Sequence, residues 1–336
     1  MRIPRAVLTA AINSAIASAL LVGGIFLLSG CAGTARQAGH SGHSQRGLTS
    51  PFTGEPVSSL RKELIFKIDN VPQARPPTGL TKADIIYLLP VEGGLSRIFA
   101  VFSSQVPPVV GPVRSSREED IPLLRQFGRP AFAFSGAQPR LLPVVEHARI
   151  VSLYAGTVGG YFRSSSRIAP YNLYAKTRTL LAEAKGASKA RDIGFRFGPA
   201  PAGGKRTSAY NVAYRSAAFR FGWSAAQQRW LVWMDGSPAK AADGKKLGAH
   251  TIVVQYVKVG TSGFLELGSR PPFAHTVGSG RAVVLRNGRA YQVHWSRPNA
   301  NAGTTFTLPD GRRMPFALGQ VWVVYGFGSG SSGSSH

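Results

Sequence analysis

Among the charged side chains between residues 69 and 117, two carboxylates and three guanidinium groups are the best placed to do chemistry in this 336-residue chain. The carboxylates are Asp69 and Glu92; the guanidiniums belong to Arg97, Arg114 and Arg117. A carboxylate pair facing one cleft can divide the work of general acid and general base, as in glycoside hydrolysis. Arginine forks do a different job, holding a phosphate or carboxylate bidentately. The same five charges can also neutralise one another and pin the loops that carry them. Residue type and spacing leave all three readings open, because nothing in the sequence fixes the distance between Asp69 and Glu92.

Other catalytic templates fail. There is no G-x-S-x-G elbow and no H-E-x-x-H helix, and His147, His250, His275 and His294 stand singly. His40 and His43 lie in a Gly/Ser-rich stretch with no other ligand type nearby. The one cysteine, Cys31, ends Leu28-Ser29-Gly30-Cys31 behind a basic start (Arg2, Arg5) and an uncharged apolar run over residues 6–28. That run is long enough to span a bilayer, so a retained anchor is the alternative. A branched residue, two small ones and a cysteine fit the lipobox of bacterial lipoproteins, whose thiol takes a diacylglycerol, and such a leader is no part of the folded domains. Apart from Cys31 the chain has no thiol, which excludes a disulfide framework and a thiolate metal site. No metal and no cofactor are expected.

The elements that must position these charges can be read in order. Residues 32–50 form a polar tether and 51–205 a first domain, with strands expected over 63–69, 84–91, 95–102, 131–135 and 148–153. Gly93-Gly94 supplies a reversal between the second and third strands. Helices are expected over 117–127, 138–147 and 176–185. Ser115-x-x-Glu118 and Ser116-x-x-Glu119 have capping-box spacing. A helix there would set Arg114-Ser-Ser-Arg117 at its N-terminus, facing an anion, unless Glu118, Glu119 and Asp120 neutralise the arginines. Residues 197–207 read as a linker, since Pro199 and Arg206 break P-loop spacing. Residues 206–327 read as mostly β, with Asn287-Gly288 and Asp310-Gly311 as hairpin signals. All five tryptophans lie here; Trp230, Trp233 and Trp322 fall in apolar strands, which favours core packing over a sugar platform for most of them. Residues 328–336 are a Gly/Ser tail. The fold class expected is α+β, a mixed α/β first domain followed by a mainly antiparallel β domain.

The first stretch also carries a resemblance. Asp69-Asn70, Ala74-Arg75-Pro76, Gly79-Leu80, Ala83-Asp84, Glu92-Gly93-Gly94, Ser96-Arg97 and Val110-Gly-Pro-Val-Arg-Ser-Ser-Arg117 resemble, in order and spacing, the YerB-like family of bacterial envelope lipoproteins. The resemblance covers residues 52–325 and implies two domains with no established biochemical activity. Residues 161–174 resemble a family segment carrying Arg-Asp, an Arg and Pro-His-Asn-Leu. Here Ser164 and Tyr171 replace the acid and the histidine, so no catalytic or metal role can rest on those positions. Arg167 and Asn172 remain as polar contacts.

Forty Lys/Arg against fifteen Asp/Glu give a net charge of +25, spread over both domains. Such a charge speaks to partners rather than to fold. Outside the membrane the abundant anions are lipid head groups and phosphate-bearing wall polymers. Nucleic acid is not the expected partner, because no basic cluster or RNA-binding motif supports it. The leading expectation is a non-enzymatic lipoprotein on the extracytoplasmic face, anchored through diacylglycerol on Cys31. It would bind an anionic wall polymer, an anionic lipid or an envelope protein. The ligand-binding candidates are Asp69, Asn70, Arg75, Glu92 and Arg97, with Arg114, Ser115, Arg117, Arg167 and Asn172. The alternatives are a wall-glycopolymer hydrolase or transferase using Asp69 and Glu92, and a scaffold for a membrane complex.

Overall fold

The computed structural model describes residues 47–266 and 268–327. The Cys31 lipobox, most of the tether and the terminal tail lie outside the described residues.

Ten strands set the main sheet: β1 (Leu64–Asp69), β2 (Ile85–Pro90), β3 (Ser96–Phe102), β4 (Ala131–Phe134), β5 (Val151–Tyr154), β6 (Thr251–Tyr256), β7 (Gly278–Arg286), β8 (Arg289–Arg297), β9 (Thr305–Thr307) and β10 (Val321–Gly326). Their spatial order is β9-β8-β7-β6-β10-β2-β3-β1-β4-β5, with the short strand Lys205–Arg206 added against β8. β1, β2 and β3 run antiparallel through β3, whereas β10 lies parallel to both β2 and β6. The sheet is therefore mixed, and it crosses the division at 197–207: the last strand of the chain sits beside the second.

Side chains alternate across this sheet, and both faces are covered. Leu64, Phe66 and Ile68 of β1, with Ile86, Leu88, Ile98 and Phe102, enter one core. That core is closed by Tyr210, Phe219, Phe221 and Trp230 from a smaller sheet built on Ala209–Tyr214, Ala217–Ser224 and Arg229–Met234. On the other face Ile65, Tyr87, Phe99 and Val101 pack with Phe52, Phe127, Phe132 and Trp295. This double burial explains why the central strands read as unbroken apolar runs.

The helical expectation needs correction. The α-helices among the described residues are Asp120–Leu124, Leu142–Glu146 and Thr177–Glu183, so the chain is mostly β rather than α+β. The capping boxes do not form: Asp120, instead of Glu118 or Glu119, accepts from the Arg117 N–H and the Ser116 hydroxyl. That turn delays the helix to Asp120, and a 3-10 turn over Arg125–Phe127 then ends it. A helix of five residues has little macrodipole to offer an anion.

Turn chemistry is more faithful. Asn287 and Gly288, at φ +50° and +68°, make the reversed-hand turn between β7 and β8. Asp235-Gly236 does the same after Arg229–Met234, a signal equally readable in the sequence. Val109–Val110, Tyr161–Arg163 and Leu173–Lys176 form a three-stranded sheet that was not expected, its strands being too short and polar to stand out. Trp230, Trp295 and Trp322 are buried in the cores, while Trp223 and Trp233 are half-buried.

Candidate functional site

Strand register brings the sequence-flagged charges to one end of the central sheet. Asp69 ends β1 directly opposite Arg97 at the start of β3, and Arg97 also faces Leu89 near the end of β2. Glu92 follows β2 in a turn whose Gly93 and Gly94 have φ of +67° and +74°, open to glycine without steric cost. Arg114 and Arg117 arrive on the loop that hydrogen-bonds along β1, with the Arg114 N–H donating to Lys67 O.

Each candidate carboxylate is held by arginine. Arg117 grips Glu92 through Nε, at 2.6 Å, and through Nη2. Arg97 Nη2 lies 4.0 Å from the other Glu92 oxygen, and Arg114 Nε lies 2.9 Å from Asp69 Oδ2. Burial disfavours the charged form of Glu92, but Arg97 and Arg117 outweigh it and hold the carboxyl below its usual range. Burial, reinforced by Arg117, brings Arg97 down to about 10, which leaves it charged at neutral pH. A third carboxylate comes from the second half of the chain: Glu266 Oε1 stands 3.3 Å from Arg117 Nη1.

Glu118, Glu119 and Asp120 do not neutralise the arginines. Glu118 accepts from the Ser262 hydroxyl and the Gly263 N–H, both at 2.7 Å. Glu119 is fully buried beside Ala274 N–H, and burial, opposed by Lys67, pushes it up to about 8. Asp120 forms a wholly buried ion pair with Lys67 at 2.5 Å. Glu118 and Glu119 thus fasten the hairpin of Lys258–Thr261 and Pro272–His275 to the first half.

The remaining candidates extend the same network. Asn70 donates to the Ser96 hydroxyl, and Arg75 donates to the Asn70 carbonyl at 2.7 Å while pairing with Asp235 at 2.6 Å. Arg167 donates to the carbonyls of Ala74 and Pro76, and Asn172 donates to the Arg167 carbonyl. The Ser115 carbonyl accepts from Arg97. Every flagged residue except Cys31 therefore belongs to one contact network. Sequence reading missed Glu266, Asp235 and the Lys67–Asp120 pair. The first two lie far along the chain, and Lys67 is hidden inside an apolar strand. No group of three or more His, Cys, Asp or Glu side chains among the described residues could hold a metal.

A mostly β chain in two segments, sharing one mixed sheet and carrying an ion-paired polar end, defines the class. The chain belongs to the YerB-like family: "Protein of unknown function (DUF3048) N-terminal domain" matches residues 52–191, and the corresponding C-terminal domain matches 210–323. The interval between the two matches contains the predicted linker. The chain is 24% identical over 290 residues to YerB of Bacillus subtilis (strain 168), a protein named as a lipoprotein, covering 82% of this chain and 85% of that one. The crystal structure of the Bacillus subtilis YerB protein superposes with a TM-score of 0.72 at 22% identity, covering 83% of this chain and 96% of that one.

Proposed function

We propose that this protein is a membrane-tethered, extracytoplasmic lipoprotein that works by binding and not by catalysis, with an anionic group as the ligand of its arginine end. One observation carries the reading: Asp69 and Glu92, the carboxylates a hydrolase would need free, are each ion-paired to arginine. For Glu92, Arg97 and Arg117 hold the carboxyl below its usual range, which sets it against taking up a proton at neutral pH. Arg97 and Arg117 are occupied internally. Arg114 is different: its side chain is 27% exposed, Asp69 approaches its Nε, and among the described residues its Nη1/Nη2 edge donates no hydrogen bond to a protein group. That edge is the fork a phosphate or carboxylate would take. An acidic segment of an envelope partner offers the same chemistry, and a crosslinked pull-down from intact envelopes separates the two.

Two results test this. Arg114→Ala should weaken binding of a phosphorylated wall fragment about tenfold or more, the value of one charge-assisted contact of about 1.5–3 kcal/mol. Lys185→Ala, an exposed residue of equal charge, should change it little. Equal losses would reduce the site to net charge. Anchoring is tested separately. Cys31→Ser should abolish lipid labelling and leave the precursor unprocessed, since the lipid chains plus a basic surface hold the wild type at the membrane. Normal processing of that variant would end the lipoprotein reading.

A further inference from the structure

The far end of the central strands carries a second feature of different chemistry. β6, β10 and β2 are adjacent and parallel, and their registers align Thr251, Val321 and Ile85. The residues just before them, His250, Gln320 and Asp84, therefore stand in a row along one sheet edge. Facing this row are Arg229 of the smaller sheet and residues 245–248, which lead into its Gly248–Ala249 strand, and between them lies a cleft of about 410 Å³. Glu92 follows β2, whereas Asp84 precedes it, so the cleft and the arginine end lie at opposite ends of that strand.

The lining is cationic. Lys82, Arg229, Lys245 and Lys246 face Glu55 and Asp84. Asp84 adds little charge to the opening: it is buried and accepts from the Ser103 and Ser104 N–H groups at 2.6 and 2.9 Å, and from the Ser104 hydroxyl. Lys245 has Asp243 at 3.6 Å, but both are exposed and such a pair is weak. Among the described residues no carboxylate pairs with Lys82, Lys246 or Arg229. His250 adds an unpartnered buried Nδ1, pressed against Gly319, where a Cβ would collide with that atom.

We propose that this cleft is a binding site for a small polyol phosphate, distinct from the arginine end and standing whether or not that reading holds. Three of the four cations are lysines, flexible point charges that suit a tetrahedral phosphoryl group, whereas the planar forks of the arginine end suit carboxylates as well. Thr81, Gln105 and Gln227 line the same space and supply hydroxyl and amide groups for a hydroxylated body. The volume lies within the range of small-ligand sites. The phosphate could come as a free monoester or as one unit of a phosphodiester polymer; the cations serve both.

Calorimetric titration of the lipidated full chain in detergent, with four probes, tests the site. Glycerol 3-phosphate represents the monoester and glycerophosphoglycerol the diester; inorganic phosphate and glycerol are the separated halves. The intact esters should bind more tightly than either half, and the better ester identifies the source. The double substitution Lys82→Ala/Lys246→Ala should lower affinity about tenfold or more. Lys185→Ala/Lys258→Ala, which removes the same charge from exposed positions, should change it less than about twofold, well under one such contact. Equal losses from the two double variants would overturn the site in favour of diffuse charge. Esters that bind no better than phosphate would overturn the polyol assignment. Loss on Arg114→Ala, with none on Lys82→Ala/Lys246→Ala, would place the ligand at the arginine end instead. All four lysines are exposed, and matching thermal melts would separate a binding loss from misfolding.

Discussion

Replacing Trp322 with alanine is expected to cost about 3–5 kcal/mol of folding stability, the range for truncating a large buried aromatic. Trp322 is fully buried in the core shared by the main and smaller sheets. Its strand, β10, pairs on one side with β2 and on the other with β6, with Ile86 and Ile252 as its direct neighbours. This is the place where the two halves of the chain become one sheet. The indole Nε1–H donates to Gln320 Oε1 at 2.8 Å, so truncation also orphans an acceptor whose amide nitrogen ties down the Leu80 and Ala83 carbonyls. Trp322→Phe keeps most of the volume and should cost distinctly less. Urea unfolding monitored by circular dichroism reads both values. An alanine variant as stable as wild type, but unable to bind wall material, would return Trp322 to the role of sugar platform.

Much of the polar end is legible in the sequence, for a local reason. Strands buried on both faces read as unbroken apolar runs that leave most charges at their ends, so Asp69, Glu92 and Arg97 announce themselves where the runs stop. What the local pattern cannot carry is long-range pairing. Nothing near Val321 indicates that it will lie beside Ile85, and nothing near Glu266 or Asp235 indicates an arginine partner. The helix over 117–127 was overextended because S-x-x-E spacing is satisfied on paper by Glu118 and Glu119. In the fold both carboxylates are drawn away to the hairpin that carries Ser262 and Ala274, and Asp120 takes the turn. The cationic cleft was invisible for a related reason. It is made where three strands begin, and its residues come from six separate segments with no motif in any of them.

The two ends of the central sheet also separate two uses of charge. At the arginine end three carboxylates, Asp69, Glu92 and Glu266, face three arginines, Arg97, Arg114 and Arg117, with Arg117 shared by two of them, so little net charge remains. Such matched networks fix geometry more than they add stability, because desolvation offsets most of the attraction. Arg117→Ala is consequently a poor probe of binding, since it strands Glu92 and Glu266 together. At the cleft the cations outnumber the acids, and the exposed lysines have only neutral or weak partners: Lys82 donates to the Gln105 amide oxygen at 2.8 Å and Lys245 lies 3.6 Å from exposed Asp243. Net charge of +25 is thus partly organised into one place, where a ligand can use it.

Lys67→Met should be as damaging as the loss of Trp322, through electrostatics instead of packing. Lys67 and Asp120 are both wholly buried and 2.5 Å apart, and Asp120 also receives the Arg117 N–H and the Ser116 hydroxyl. Removing one member of such a pair leaves an uncompensated buried charge and costs about 3–5 kcal/mol. The double variant Lys67→Met/Asp120→Asn removes both charges and should lose less than Lys67→Met alone. The effect should also depend on pH, with a definite sign. Glu119, pushed up to about 8 by burial, is held down chiefly by Lys67, so losing the ammonium raises it further. An acid whose folded value exceeds its unfolded value of about 4.3 costs stability progressively as pH rises between the two. The Glu119 part of the Lys67→Met deficit should therefore grow as pH rises above about 8, where the wild-type acid ionises and the variant's stays protonated, and be constant below it. Denaturant unfolding at several pH values measures this directly. A deficit that stays constant with pH, or a double variant worse than the single, would show that Lys67 contributes bulk to the core and not charge to Asp120 and Glu119.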